Sequence, residues 1–382
     1  MREVAAKRLG AHDLHGQRLA DAVRRVSEAY LRQRGTPGDL IADEDALCAR
    51  LRFFLPRDFP KIAAPLRELA SVSALPRART LRVLDLGAGL GTTGLGTAAF
   101  ALSQNDVERV LIDAVDRDAR ALEIAAALAE SFARAERLTL ELRPRCADLG
   151  GGVLDKLDPP YDLIVLGFVL DELGEAENDA AAHHARWLTR LSGLLAPEGA
   201  LVVLEPALRR SSRALQAARG LLLAAEGPPF VFAPCLHRAP CPLLLRERDW
   251  CHEQLPLALP GEIAAIAKAA GLRATDLSFS YLTLHRQERS LAELGPSLLR
   301  VVSAKLRSKG KLELLVCGAS ETHKLRRLDR RCSEHNDALE MAGRGALLSL
   351  STEADGAGPV REVQRETVVA VAYQPCGDGR TP

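Results

Sequence analysis

The sequence lacks long apolar runs, an acid-free amino-terminal stretch and a large excess of charge of one sign. No uncharged apolar segment approaches the roughly 18 residues that cross a bilayer, and the first 30 residues mix Glu3, Asp13, Asp21 and Glu28 with arginines. These absences argue against a transmembrane segment, a secretory signal and an acid-poor mitochondrial presequence. We therefore expect a cytoplasmic, bacterial-type protein with no membrane partner.

The charge is nearly balanced but unevenly distributed. The chain of 382 residues has 51 Lys and Arg against 50 Asp and Glu, a net charge of +1. Residues 286–331 contain twelve basic and five acidic residues, so the rest of the chain has a net charge of −6. This basic segment could contact phosphate, or it could be a solvated charged face. Residues 300–331 contain no aromatic side chain for base stacking.

The order of apolar patterns predicts three units. Residues 1–79 carry apolar positions at intervals of three and four, which predicts a helical amino-terminal unit. Residues 80–318 alternate short apolar runs with amphipathic segments of helix length, which predicts an α/β domain with a parallel sheet. The runs 277–286 and 311–318 are expected to be its last strands. Residues 319–382 predict a small β extension.

A glycine-rich segment, Asp85-Leu-Gly87-Ala-Gly89-Leu-Gly91, follows a predicted strand and leads into a predicted helix. Glycines allow a tight turn and let a ligand approach backbone N–H groups at the start of a helix. Together with Gly94 the segment also fits the GxGxxG fingerprint of dinucleotide sites. The loop alone therefore leaves S-adenosylmethionine, NAD and a turn without a ligand open.

Three carboxylates favour S-adenosylmethionine over NAD. Asp85 lies two residues before the first glycine, Asp116 closes the second predicted strand and Asp148 follows the third. Asp116 could accept hydrogen bonds from both ribose hydroxyls and Asp148 from an adenine amino group. Asp85 could orient the loop and lie near the ammonium group of the ligand. No clear His or Lys for hydride transfer follows the fifth strand.

Methyl transfer depends mainly on holding the nucleophile in line with the methyl carbon. The Asn-Pro-Pro-Tyr motif that polarises an exocyclic amine is absent, and the fourth predicted strand ends in Gly167-Phe-Val-Leu-Asp171-Glu172. Asp171 and Glu172 are therefore the candidate catalytic residues. Alternatively, they serve only as the N-cap and first-turn acid of a helix.

Four cysteines form a candidate metal site. Cys235, Cys241 and Cys251 lie within seventeen residues, and Cys317 ends a later predicted strand. Because we expect no export signal, a disulfide framework is not indicated. Four thiolates suit zinc or an iron–sulfur cluster.

The spacing of these cysteines differs from that of a zinc ribbon and suits a cluster larger than one ion. His237 and His252 keep a mixed zinc site open, and Cys332 is an alternative to Cys317 as fourth ligand. The isolated Cys48 and Cys146 are expected to be small core residues.

Four segments together resemble a known family: LDLGAGLGT, YDLIVLGFVLDEL, PC-x-H-x3-CPL…DWCHE and RVVSAKLRSKGKLELLVCG. They resemble the methyltransferase-like proteins that act in assembly of the mitochondrial ribosomal small subunit and that also have bacterial members. The likeness implies a seven-stranded class I S-adenosylmethionine methyltransferase fold and a cofactor loop over Asp85–Gly91. It also implies a [4Fe-4S] cluster on Cys235, Cys241, Cys251 and Cys317. The family's Asn-Glu-Leu after the fourth strand is Asp171-Glu172-Leu173 here.

The resemblance further implies binding to small-subunit rRNA during maturation. We therefore expect a small-subunit maturation factor that acts as an rRNA methyltransferase. The residues expected to contact phosphate are Arg300, Lys305, Arg307, Lys309, Lys311, Lys324, Arg326, Arg327, Arg330 and Arg331. The alternatives are a non-catalytic RNA-binding assembly factor that keeps the fold and a zinc-containing methyltransferase of another substrate.

Overall fold

The computed structural model describes residues 2–32, 43–104, 106–173, 179–273, 275–318, 321–351 and 360–375. The helices are α1 Arg2–Leu9, α2 Gly16–Arg32, α3 Glu44–Ala49, α4 Leu55–Asp58, α5 Ala63–Ser71, α6 Thr92–Leu102, α7 Ala119–Glu136, α8 Leu170–Leu173, α9 Ala180–Ser192, α10 Arg209–Ala224, α11 Gly261–Ala269 and α12 Ala338–Met341. Within the described part of the chain, no helix is long and apolar enough to cross a membrane.

The strands form two sheets. They are β1 Thr80–Leu86, β2 Arg109–Asp116, β3 Thr139–Cys146, β4 Tyr161–Gly167, β5 Leu195–Pro206, β6 Phe230–Ala233, β7 Glu253–Pro256, β8 Asp276–His285, β9 Leu299–Val301, β10 Leu306–Ser308, β11 Lys311–Cys317, β12 Thr322–Leu328, β13 Leu347–Leu350, β14 Val360–Glu362 and β15 Val369–Tyr373.

The first sheet has the strand order β3-β2-β1-β4-β5-β8-β6, with β7 paired to β8. Neighbouring strands from β3 to β5 are parallel, whereas β8 runs antiparallel to β5, β6 and β7. A single antiparallel strand inserted between the fifth and sixth strands of such a sheet defines the class I methyltransferase fold. The expected fold class is therefore confirmed.

Alternating residues of the central strands pack into two cores, one on each face of the sheet. Val83 and Val165 face the core that includes α6, α7 and the amino-terminal helices. Leu84 and Ile164 face the core formed with α9 and α10. Because helices cover both faces, the central strands are almost continuously apolar.

The amino-terminal helices pack on the same core as α6 and α7. Asp43 caps α3 by accepting from the backbone N–H groups of Asp45 and Ala46. Arg52, which follows α3, links this part of the chain to the segment after α1 by donating to Asp13 at 2.7 Å. Cys48 is fully buried here, which confirms its expected place in a core.

The second sheet has the order β14-β12-β11-β9-β13-β15, with β10 paired to β11. The expectation that residues 311–318 end the first sheet is therefore wrong, because β11 pairs with β9, β10 and β12 instead. The short β9 is the first strand of this sheet in the chain. The division into folding units at residues 79 and 318 stays a prediction.

Cys146 differs from expectation as well. It ends the edge strand β3 and is exposed, so it is not a core residue. Among the described residues, no strand pairs with the outer side of β3, and the end of β3 is open to solvent.

Candidate functional site

The glycine loop connects the carboxyl end of β1 to α6. Gly87, Gly89 and Gly91 have φ angles of 67°, 50° and 77°, which favour glycine over other residues. The N–H of Gly87 donates to the carbonyl of Val115 at 2.9 Å, so the loop is fixed against β2. A side chain at Gly87 would overlap Val169.

Asp85 lies beneath this loop and is almost fully buried. One carboxylate oxygen accepts from the N–H of Gly94 at 2.9 Å, and the other has no protein partner. Burial raises the pKa of Asp85 to about 7, the N–H of Gly94 lowers it, and the charge of Asp116 raises it. Asp85 therefore holds the start of α6, directly after the loop, and its role towards a ligand stays a prediction.

Asp116 lies where the first two strands meet the loop. One oxygen of Asp116 accepts from the N–H of Gly89 at 2.7 Å, and the other accepts from the N–H of Asp118 at 2.8 Å. Asp148 is exposed and accepts from the N–H of Gly150 at 2.7 Å. Both predicted carboxylates therefore lie at the same edge of the sheet as the glycines.

A cleft of about 1000 Å³ opens above this edge. Its lining includes the predicted residues Gly87, Gly89, Asp116, Asp148, Asp171 and Glu172. The opposite wall comes from the amino-terminal helices, through Tyr30, Arg50 and Lys61 among others. A cleft of this size is at the upper end of the range for small-molecule sites, so it has room for a cofactor and part of a second substrate.

The segment after β4 forms one end of the cleft. Phe168 has a φ of 64°, an uncommon value for a residue other than glycine. Asp171 accepts from the hydroxyl of Ser211 at 2.6 Å and lies 3.9 Å from the ring nitrogen of His184. Glu172 also lines the cleft. Both candidate catalytic acids therefore line the cleft, and their catalytic role stays a prediction.

Glu205 is a cleft residue that the sequence reasoning missed. It ends β5, is 1% exposed, and accepts from the N–H of Leu170 at 2.9 Å. Its other oxygen has no hydrogen-bond partner in the described part of the chain, and burial together with the charge of Asp171 raises the pKa of Glu205 well above its usual value. The sequence signal that could have identified Glu205 is a single acidic residue near the end of an apolar strand.

Lys61 was missed in the same way. Its ammonium group lies 2.9 Å from Asp58 and 4.7 Å from the ring centre of Phe168. Burial lowers the pKa of Lys61, and the charge of Asp58 raises it. A lysine within the otherwise apolar run FPKIAAPL was the signal that could have found it.

The fold brings the four cysteines of the candidate metal site towards one region. Burial raises the pKa of Cys251 well above its usual value, and the charges of Cys235, Cys241 and Cys317 raise it further. Burial likewise raises the pKa of Cys235 to about 11 and that of Cys317 to about 12. The contacts of Arg300 support this placement. Arg300 pairs with Cys317 between β9 and β11, and its side chain donates to the carbonyl of Pro234, next to Cys235, and to Glu253, two residues after Cys251.

The donor set is soft, because it contains four sulfur atoms. The ring nitrogen of His237 lies 3.6 Å from the sulfur of Cys317, whereas Cys332 is exposed. Among the described residues, no three His, Cys, Asp or Glu side chains form a group arranged to hold a metal ion. The residue types fit zinc or an iron–sulfur cluster.

The basic segment departs from expectation at two positions. Arg300 and Arg327 are buried, and both pair with carboxylates: Arg300 with Glu68 and Glu253, and Arg327 with Glu340. They are therefore unable to contact phosphate. The reason is that β9 and β12 turn these positions inward, which the one-dimensional charge count does not reveal.

Several other basic side chains of this segment are also paired. Arg307 pairs with Glu340, Lys311 with Glu313, Arg326 with Glu313 and Glu362, and Arg331 with Glu362. Four residues have no carboxylate within ion-pair distance in the part of the chain that the structure describes: Lys305, Lys309, Lys324 and Arg330.

A family model described as Rsm22, mitochondrial small ribosomal subunit, matches residues 47–342, well over half of the chain. A search of curated proteins found no match. The match includes the glycine loop, the cysteine segment and β9 to β12.

Among solved structures, the plantazolicin methyltransferase BpumL is 10% identical, with 70% of this chain and 96% of that chain covered and a TM-score of 0.37. An S-adenosylmethionine-dependent methyltransferase described as putative, from Listeria monocytogenes, is 12% identical, with 75% and 88% covered and a TM-score of 0.37. One from Clostridium acetobutylicum is 12% identical, with 81% and 89% covered and a TM-score of 0.26. The strand order of the first sheet, and not these likenesses, defines the class of fold.

Proposed function

We propose that this chain, which belongs to the Rsm22 family, is a maturation factor of the ribosomal small subunit that methylates rRNA with S-adenosylmethionine. The observation that carries the proposal is the hydrogen bond from Gly89 to Asp116 across the floor of the cleft. It fixes a carboxylate beside the glycine loop, at the edge where parallel sheets of this type bind ligands.

S-adenosylmethionine, when bound, supplies an electrophilic methyl group on a sulfonium. The residues of this chain fit it, because the cleft combines a glycine cradle with the carboxylates of Asp116 and Asp148. Asp116 would accept from the ribose hydroxyls, and Asp148 would accept from the adenine amino group. Asp85 would hold the loop in place from below.

Asp171 and Glu172 are the proposed catalytic residues on the acceptor side. They would orient the nucleophile or accept its proton, while the amino-terminal helices limit access of water to the cleft. Glu205 holds the backbone of this segment by accepting from Leu170, so it acts as a positioning residue.

Cys235, Cys241, Cys251 and Cys317 are proposed to hold a [4Fe-4S] cluster. The set of four sulfur donors, of which Cys241 is buried and the other three are half-buried, supports this, and zinc is the alternative. Anaerobic purification followed by iron, acid-labile sulfide and zinc analysis separates them. About four irons and four sulfides per chain support the cluster, whereas one zinc without sulfide contradicts it.

The proposed rRNA contacts are Lys305, Lys309, Lys324 and Arg330. Their replacement by Gln is expected to weaken binding to small-subunit rRNA. The slope of the logarithm of the binding constant against the logarithm of the salt concentration should become shallower by about one for each lost phosphate contact. The matched control replaces Arg307, Lys311, Arg326 and Arg331, whose charges are already paired. Equal effects of the two variants would contradict this choice of residues.

The test of methyl transfer offers labelled S-adenosylmethionine to immature small subunits from a strain that lacks this protein. We expect label in rRNA with the wild-type chain and much less with Asp116→Ala. Glu123→Ala, an exposed change on α7, is the control.

A non-catalytic assembly role is the second candidate, because Asp171 is already engaged by Ser211 and lies near His184. That role predicts no labelled rRNA and full rescue of subunit assembly by Asp116→Ala. Labelled rRNA would exclude it.

A further inference from the structure

Three arginines hold the backbone of the cysteine loop, residues 234–253. Arg213 and Arg219 lie on α10, six positions apart, with Gln216 between them. Successive members of this set are three positions apart, so each lies next to the following one on the helix surface. Arg300 reaches the loop from β9 of the second sheet.

Arg219 holds the first half of the loop. It is fully buried, and its guanidinium donates to the carbonyl of Ala239 at 3.0 Å and to the carbonyl of His237. Both carbonyls lie between Cys235 and Cys241. The remaining nitrogen of the guanidinium, Nε, is buried and has no hydrogen-bond partner among the residues that the structure describes.

Arg213 holds the second half, between Cys241 and Cys251. It donates to the carbonyls of Arg246 and Asp249 at 2.9 Å each and to that of Leu244 at 3.1 Å. It is half-buried, unlike Arg219. Each interval of the loop is thus fixed by its own arginine.

Arg300 holds the two outer ends. It donates to the carbonyl of Pro234, next to Cys235, at 3.3 Å and to the carboxylate of Glu253, two residues after Cys251, at 2.9 Å. The loop is therefore tied at both ends and in both intervals by protein groups that contain no thiol.

The arginines differ in whether a carboxylate neutralises their charge near the cysteines. Arg219 lies beside two of the cysteines. It donates to the carbonyl of His237, whose ring nitrogen is 3.6 Å from the sulfur of Cys317. Gln216, one turn earlier on α10, has its side-chain oxygen 3.8 Å from the sulfur of Cys235. Arg300 is already neutralised by Glu68 and Glu253. No carboxylate of the described residues lies within ion-pair distance of Arg219, so its charge stays available to the thiols.

We propose that Arg219 is a positioning residue of the four-cysteine site that also supplies a positive charge opposing the thiolates, whereas Arg213 only positions the loop. This rests on the proposed [4Fe-4S] cluster. Charged groups left buried without compensation are costly, and the net charge near a cluster helps to set its reduction potential. A nearby positive charge favours the reduced form, which carries one more electron.

The test compares Arg219→Gln, Arg219→Lys and Arg213→Gln in the full chain, purified anaerobically. Iron and sulfide content, the midpoint potential from a spectroscopic titration and the thermal unfolding midpoint are measured for each. We expect Arg219→Gln to shift the potential to more negative values, Arg213→Gln to leave it unchanged, and both to lower the unfolding midpoint. Arg219→Lys keeps the charge and is expected to keep a potential close to that of the wild type.

Equal potentials in Arg219→Gln and Arg213→Gln, with iron retained in both, overturn the charge role. If Arg219→Gln loses its iron, Arg219→Lys decides: a retained cluster with wild-type potential supports the inference, and loss of the cluster overturns it. Absence of iron and sulfide from the wild-type chain refutes the proposed cluster itself and this inference with it. A chain that binds the cluster without a charge effect of Arg219 and a chain that binds no cluster therefore give different results.

Discussion

Arg300 of β9 and Glu68 of α5 form an ion pair of 2.8 Å in which both side chains are almost completely buried. Glu68 also accepts from the hydroxyl of Tyr281 at 2.7 Å, and Arg300 reaches Glu253 at 2.9 Å. This network joins the amino-terminal helices, the first sheet and the second sheet. It places a residue of the basic segment at the centre of the molecule instead of on an RNA-binding face.

Arg300→Ala is therefore expected to destabilise the fold. The change leaves the carboxylates of Glu68 and Glu253 buried without their cation, which costs about 3–5 kcal/mol. The free energy of unfolding from denaturant titration measures the effect. Arg307→Ala is the control, since Arg307 is 57% exposed and its ion pair is worth at most about 1 kcal/mol. Similar losses in both variants would contradict the burial of Arg300.

Asp116→Ala is expected to weaken binding of S-adenosylmethionine by about 1–3 kcal/mol, because it removes an acceptor of charged hydrogen bonds. It also removes the acceptor that fixes Gly89. Calorimetry measures the dissociation constant. Asp148→Ala is expected to have a smaller effect, because Asp148 is exposed. An unchanged affinity in Asp116→Ala would exclude this edge of the sheet as the cofactor site.

Asp85 is expected to make stability depend on pH. Burial raises its pKa in the folded chain from 3.8 to about 7, so between these values the folded chain keeps a proton that the unfolded chain has lost. The free energy of unfolding should therefore fall as pH rises from about 4 to about 7 and should then level off. The contribution is on the order of 4 kcal/mol, at about 1.36 kcal/mol per pKa unit.

Asp85→Asn removes this titration, so its unfolding free energy should depend less steeply on pH over the same range. Asp155→Asn, at a side chain that is 76% exposed, is the control and should follow the wild type. Denaturant titrations at several pH values compare the three proteins. Parallel profiles for Asp85→Asn and wild type would show that Asp85 does not hold its proton to about pH 7.

Cys241→Ser is expected to abolish bound iron and sulfide, because it removes one of four proposed ligands. We expect the loop to stay ordered, since Arg213, Arg219 and Arg300 bind its carbonyl groups independently of any metal. Metal analysis and hydrogen exchange over residues 234–253 measure the two effects separately. Full metal retention would remove Cys241 from the ligand set, and loss of protection across the loop would show that the arginines are insufficient.

The sequence predicted which side chains meet at the carboxyl edge of the first sheet, because the signals for this are local. A parallel sheet brings the carboxyl ends of its strands to one edge, so residues that follow β1, β2 and β3 must meet there. Asp85, Asp116 and Asp148 could therefore be assigned from their places after apolar runs. The same local reasoning found Asp171 and Glu172 after β4.

The sequence did not identify Glu205 and Lys61, because their place in the cleft depends on how the chain packs. Both are charged residues within apolar segments, and only the packed chain shows that they face the cleft. Cys146 was misjudged for a related reason, because the apolar pattern of β3 does not reveal that it is an edge strand.

The sequence by itself determined the class of fold, the glycine loop with its carboxylates and the set of four cysteines, because each depends on residue type and short spacing. Tertiary structure decided which basic residues pair with carboxylates and which arginines hold the cysteine loop. Those outcomes depend on pairing between residues far apart in the chain, such as Glu68 with Arg300. Pairing of this kind follows from the packing of the two sheets and not from any local pattern.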